Sequence, residues 1–163
     1  MKGYRTKVIV VFFVITVILI IWSDKVSTNN RLLGYYNADL EKFNSNYVEL
    51  INSFDNFVDS PDVESHGDVE YMIGTTISSL GSLDSSMVVC YRMGLLQNDK
   101  LRYEESEVIV FAARIIKESR KLLNESIELK DNKIILNESK IKLVYENLDE
   151  INELFEPYYS NVK

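Results

Sequence analysis

The stretch RLLGYYNADLEKFNSNYVELINSFDNF, residues 31–57, decides the fold. Its apolar positions Leu33, Tyr36, Leu40, Phe43, Tyr47, Leu50, Phe54 and Phe57 alternate steps of three and four. A strand would repeat every second residue, whereas this rhythm holds one stripe on one side of an α-helix for roughly three heptads. Thr28, Asn29 or Asn30 can cap its start and Ser60-Pro61 stops it, so a helix is expected over about 30–58.

Toward the C-terminus the rhythm continues. Val69, Ile73, Thr76, Leu80, Leu83, Met87, Cys90 and Gly94 mark a second helix over about 62–97, with Ser65 and Asp68 resembling a capping box. Its body is rich in poor helix formers, among them Gly74, Thr75, Ser78, Ser79, Gly81, Ser82, Ser85 and Ser86. Each Gly costs up to about 1 kcal/mol relative to Ala, so close approach of a neighbouring helix is the expected compensation. Asn98–Arg102 reads as a connection with Asp99 as a cap, and Glu104, Glu105 and Glu107 suit the positive end of a third helix over about 101–130. That helix carries two adjacent stripes, Val108, Ala112, Ile115, Leu122 and Leu129 beside Ile109, Ile116, Leu123 and Ile127. A face that wide suits a bundle rather than a two-stranded coil. Lys130-Asp131-Asn132-Lys133 is turn chemistry, and Ile134, Ile141, Val144, Leu148, Ile151 and Phe155 then define a fourth helix over about 133–157. The seven-residue spacing of Ile127, Ile134, Ile141, Leu148 and Phe155 leaves one alternative open, a single long helix running through Asn132.

Toward the N-terminus, Val8 to Trp22 is apolar apart from Thr16. Counted from Tyr4, with Lys7 snorkelling, a helix here reaches about 28 Å, close to the hydrocarbon thickness of a bilayer. Val8, Phe12, Phe13, Ile15, Leu19 and Trp22 are the expected lipid-facing anchor residues. Lys2, Arg5 and Lys7 precede the segment and no acidic residue occurs before Asp24, which places the N-terminus in the cytoplasm. The expected organisation is a cytoplasmic tail (1–7), a signal anchor (8–22), a juxtamembrane linker (23–31) and an extracytoplasmic part (32–163). The fold class is therefore all-α, an N-terminal transmembrane helix followed by an antiparallel four-helix bundle, located at the cell membrane as a single-pass protein. A cleaved secretory signal competes with this reading, although Ile21-Trp22-Ser23 is a poor cleavage site.

Charge segregates with hydropathy. The chain has 163 residues, a formal charge of −7 and a mean hydropathy of −0.09. Residues 24–163 hold 15 basic and 25 acidic side chains, a net of −10, on an apolar and positively flanked stem. That acidic surface argues against nucleic acid as a partner and favours a basic protein surface. One cysteine excludes an intramolecular disulfide, and one histidine excludes a His-rich zinc site.

The densest polar chemistry is Asp62-Val-Glu64-Ser-His66-Gly67-Asp68-Val69-Glu70. Asp62, Glu64, Asp68 and Glu70 partly imitate a calcium loop, but Ile73 stands where the bidentate Glu belongs, so an acidic helix-start segment is the simpler reading. His66 has no identifiable nucleophile partner, no hydroxyl sits in a Gly-x-Ser-x-Gly elbow and no Gly-rich phosphate loop occurs, so the chain does not read as an enzyme and implies no cofactor. Cys90 reads as a small buried hydrophobe, with an intermolecular disulfide as its alternative. Asn124-Glu-Ser126 and Asn137-Glu-Ser139 match the glycosylation sequon, but both fall in expected helices. Tyr35 and Tyr36 with the aromatics of the first seam read as packing, and a partly open groove between helices one and two is the best ligand candidate. Arg120, Lys130 and Asn137 interrupt later seams where these turn toward solvent. The resulting expectation is an interaction module for another envelope protein, or a homo-oligomer, held to membrane lipid through residues 8–22. A small-ligand or divalent-metal sensory ectodomain, and a structural coiled-coil spacer, are the alternatives.

Overall fold

A computed structural model describes residues 2–96, 104–130 and 133–159, with side chains from residue 12 in the first stretch, from 107 in the second and to 158 in the third. Among these residues the fold is all-α with four helices and one short two-stranded ribbon. The Asn98–Arg102 connection, Asp99, the turn residues Asp131 and Asn132, and the side chains of Val8, Glu104 and Glu105 lie outside the described set.

Helix α1 runs from Lys2 to Asp59, 58 residues without a break. The apolar segment and the aromatic seam are thus one helix, and residues 23–31 are helical where the pattern predicts a separate linker. No Gly or Pro occurs between Tyr4 and Leu33, so nothing in the covalent chain interrupts the ladder. Pro61 disfavours the α region for Ser60 and ends it.

Helix α2 spans Val63–Arg92. Its cap is Asp62, whose Oδ1 accepts from the Ser65 backbone N–H at 2.7 Å while the Asp62 N–H donates to Ser65 Oγ at 3.2 Å. The capping box is therefore one turn earlier than Ser65 with Asp68. The helix stops short of residue 97 because Gly94 adopts φ +68°, and Leu95 N–H reaches Cys90 C=O at 2.9 Å as Gly94 N–H reaches Tyr91 C=O at 2.9 Å. Those two bonds satisfy the last carbonyls, and a left-handed residue at that position favours glycine. Gly94 belongs to the stop, not to the seam.

Helix α3 spans Glu104–Ser126 and α4 spans Glu138–Tyr159, two residues beyond Pro157. Between them, where the heptad phase predicts helix, lie strands β1 (Ile127–Lys130) and β2 (Lys133–Leu136). They pair antiparallel with Ile127 opposite Leu136 and Leu129 opposite Ile134, while Glu128–Ile135 and Lys130–Lys133 share the other face. A single helix through Asn132 therefore does not form. Isoleucines suit a strand as well as a helix, and two residues between the strands match the commonest hairpin loop. Asn137 ends the ribbon through Asn137 N–H to Ser126 C=O at 2.8 Å and caps α4, its Oδ1 accepting from Lys140 N–H at 3.2 Å. Asn137 is thus a helix cap rather than a polar residue on a seam.

One apolar core joins the four helices. Tyr36, Leu40, Phe43, Tyr47, Leu50, Phe54 and Phe57 of α1 are all buried in it, with Val69, Ile73, Leu80, Leu83 and Met87 of α2 against them. Ile109, Ala112, Ile116 and Leu123 of α3 and Ile141, Val144, Leu148, Ile151 and Phe155 of α4 complete it. Ring contacts mark the depth: Phe43 to Phe155 at 4.4 Å and Phe54 to Tyr145 at 4.9 Å, edge on. The Tyr47 hydroxyl donates to the Leu148 carbonyl, and the Tyr145 hydroxyl to Asp55 Oδ1 at 2.8 Å. Cys90 Sγ lies 3.4 Å from the Leu32 carbonyl, and the Phe57 ring lies 5.5 Å from His66. The start of α2 thus meets the end of the α1 seam, and the end of α2 meets its beginning.

Candidate functional site

Three regions carry the chemistry that the sequence singles out. The first is the apolar part of α1. From Phe12 to Trp22 every large apolar side chain is exposed, Phe12 at 73% and Trp22 at 64%. Burying a side chain of this size is worth about 1.5–3 kcal/mol, so ten of them left bare on a helix is a large unmet demand for an apolar surrounding. Thr16, the sole polar residue there, donates its hydroxyl to the Phe12 carbonyl at 2.9 Å, which satisfies it within the helix. Among the described residues α1 is the one helix long and apolar enough to cross a membrane, and none of that window is buried. Of the anchor residues, Phe12, Phe13, Ile15, Leu19 and Trp22 belong to this exposed run.

The second region is the acidic segment. Asp62 caps α2, Glu64 sits in its first turn, and Asp68 and Glu70 follow on the helix itself. Helix geometry sets Glu64 and Asp68 one turn apart on one face and Glu70 on another, instead of folding them into a loop. Among the described residues no group of three or more His, Cys, Asp or Glu side chains gathers to hold a metal. Asp62 and Glu70 have structural tasks instead. The Ser65 backbone N–H holds the Asp62 carboxyl below its ordinary value. Burial pushes the Glu70 carboxyl up, but hydrogen bonds from Arg120 and Asn124 and the Arg120 charge outweigh it and leave it below its usual range. Arg120 Nη2 lies 2.5 Å from Glu70 Oε2, Asn124 Nδ2 donates to Glu70 Oε1 at 3.1 Å, and His66 Nε2 lies 3.1 Å from Asn124 Oδ1. His66 and Arg120 therefore belong to a polar tie between α2 and α3, one that sequence spacing of 50 residues and more conceals.

The third region is an open groove between α1 and α2, of about 590 Å³. Leu32, Tyr35 and Asp39 form one wall and Ser78, Gly81, Ser82, Ser85, Ser86 and Val89 the other. Its origin is the absence of side-chain bulk on α2. A Cβ added at Gly74 or Gly81 would meet nothing within 4 Å, so these glycines do not serve the close helix approach expected of them. Of the small residues in this helix, Thr76 and Ser79 are buried, and Thr76 Oγ1 donates to Met72 C=O at 2.8 Å. The others leave an outward stripe, Tyr71, Gly74, Ser78, Gly81, Ser85 and Val89, exposed and without charge. The core aromatics, by contrast, are packed and form no cage, while Tyr35, which is exposed, stands at the groove.

Cys90 is fully buried, and burial pushes its thiol up, so a disulfide to a second molecule requires the packed helices to open. Asn124 is engaged with Glu70, and Asn137 with the start of α4. Comparison of the chain with protein-family models, with curated proteins and with solved structures finds no match.

Proposed function

We propose that the protein is a single-pass membrane-anchored interaction module, its four helices an antiparallel bundle displayed outside the cytoplasmic membrane for another envelope protein. The observation that carries this reading is the unbroken α1, which joins a bare apolar segment to the aromatic seam of the packed core. Lipid supplies the apolar surrounding that residues 12–22 do not find in the chain, and the basic residues before them favour a cytoplasmic N-terminus. The uncharged outward stripe of α2, on a part of the chain whose net charge is −10, supports a protein partner on that side. The test is photo-crosslinking in intact cells from probes at Gly81 and Ser85, with Lys117 on the outer face of α3 as control. A discrete adduct from the first two positions and not the third is expected. No adduct, or the same pattern from all three, would overturn the reading.

A second reading takes the α1/α2 groove as a small-ligand site, because its volume falls within the range of about 300–1,000 Å³ that such sites occupy. Native mass spectrometry of the purified protein would then show a bound small molecule that Ser82→Trp removes. Identical masses for the two proteins, apart from the substitution, would exclude it.

A further inference from the structure

We propose that residues 23–31 of α1 are a hinge, a helical stretch that opens and recloses so that the packed helices tilt over the bilayer. The proposal rests on the membrane reading above. Between Trp22, the last of the bare apolar run, and Leu32, the first α1 residue packed against the core, stand Ser23, Asp24, Lys25, Val26, Ser27, Thr28, Asn29, Asn30 and Arg31. None of the nine is buried, and only Thr28 and Asn29 are even half-covered. Among the described residues, no ion pair and no side-chain hydrogen bond involves this stretch. Seven of the nine are Ser, Thr, Asn, Asp or Val, residues of poor helix propensity, and the polar ones compete for their own backbone. What holds the helix there is the backbone ladder alone, and a free helix shorter than about 12–15 residues is marginal in water.

The two sides of the stretch are held quite differently. On one side lipid surrounds residues 12–22. On the other, Leu32 packs against the core, its carbonyl faces Cys90 Sγ at 3.4 Å, and the fully buried seam follows from Tyr36. Opening residues 23–31 breaks neither set of contacts and costs the local ladder alone, which puts it at the low end of the opening energies within one protein. Because the far end of the α1 seam lies about 52 Å beyond Trp22 along the helix, a small bend at 23–31 swings that end through a wide arc. A rigid α1 would fix the outward stripe of α2 in one orientation; a hinge lets it search for a partner anchored nearby.

Hydrogen exchange on the full-length protein in phospholipid nanodiscs tests this. Amides of 23–31 should exchange on the order of 100-fold faster than those of 40–57, while those of 12–22 stay protected by lipid. Asn29→Ala with Asn30→Ala should slow exchange in 23–31 about ten-fold, the equivalent of the ~1.4 kcal/mol gained in helix propensity, and leave 40–57 unchanged. Exchange in 23–31 as slow as in 40–57, or no response to the double substitution, would overturn the hinge alone. Rapid exchange across 12–22 in nanodiscs would overturn the membrane reading, and the hinge with it.

Discussion

Phe43 offers the sharpest test of how the helices meet. Its side chain is fully buried, its ring centroid is 4.4 Å from that of Phe155 on α4 and 5.9 Å from that of Tyr47 one turn along α1. Phe43→Ala removes the ring from a core drawn from four helices and leaves a cavity that Phe155 cannot fill without giving up its own packing. Buried Phe→Ala substitutions cost about 3–5 kcal/mol, a sum that includes the lost ring pairs at about 0.5–1.5 kcal/mol each. At roughly 2–4 °C per kcal/mol for a chain of this size, melting should fall by on the order of 10 °C. The assay is thermal unfolding by circular dichroism in detergent micelles, with Tyr35→Ala as the paired control. Tyr35 lies eight residues earlier on the same helix but is exposed, so its loss should change melting by no more than about 2 °C. Equal shifts for the two variants would refute the assignment of the seam, because one helix face would then not differ from the other.

The polar tie between α2 and α3 predicts an acid response. The Glu70 carboxyl is held below its ordinary value, so its contribution is complete above about pH 4.5 and is lost as pH falls through the lowered value; Glu70→Gln should flatten that part of the stability–pH curve, and an unchanged slope would count against the Arg120 and Asn124 contacts. Asn137→Ala removes the cap of α4 and should cost about 1 kcal/mol in denaturant unfolding, recovered largely by Asn137→Asp. Cys90 should resist a maleimide reagent in the folded protein and react promptly once denaturant is added; equal rates in both conditions would show that the thiol is not buried.

What the sequence discloses is what helical spacing and chain breakers control. Every seam residue from Tyr36 to Phe57 is buried, as are Val69, Ile73, Thr76, Leu80, Leu83, Met87 and Cys90, because a stripe repeated through several turns has one way to leave water. Pro61 marks a real boundary for an equally local reason, the end of α1 at Asp59. The hairpin at Ile127–Leu136 escapes the same reasoning because isoleucines spaced by seven satisfy helix and strand alike, and the choice falls to pairing that spacing does not encode. Gly94 looks like a seam member until its backbone is seen to be left-handed. The small residues of α2 mislead in a different way, since composition tells that bulk is missing but not which side of the helix lacks it. The Glu70–Arg120 contact joins residues fifty apart, each of which reads alone as an ordinary surface charge. The groove depends on that same missing side and on the rotation of α1, so only its location between the first two helices was legible.

The order in which the seam finds its partners sets a timetable for biogenesis. Tyr47 leaves the ribosome about a hundred residues ahead of Leu148, whose carbonyl its hydroxyl reaches in the folded protein. At synthesis rates of about 5–20 residues per second, the aromatic side of α1 waits roughly 5–20 s for α4. Through that interval only α2, and later α3, is available to cover it. Newly made chains are therefore most exposed to chaperone capture and to proteolysis before Phe155 emerges, and truncations that end within α4 should be cleared faster than their loss of a few contacts alone would suggest.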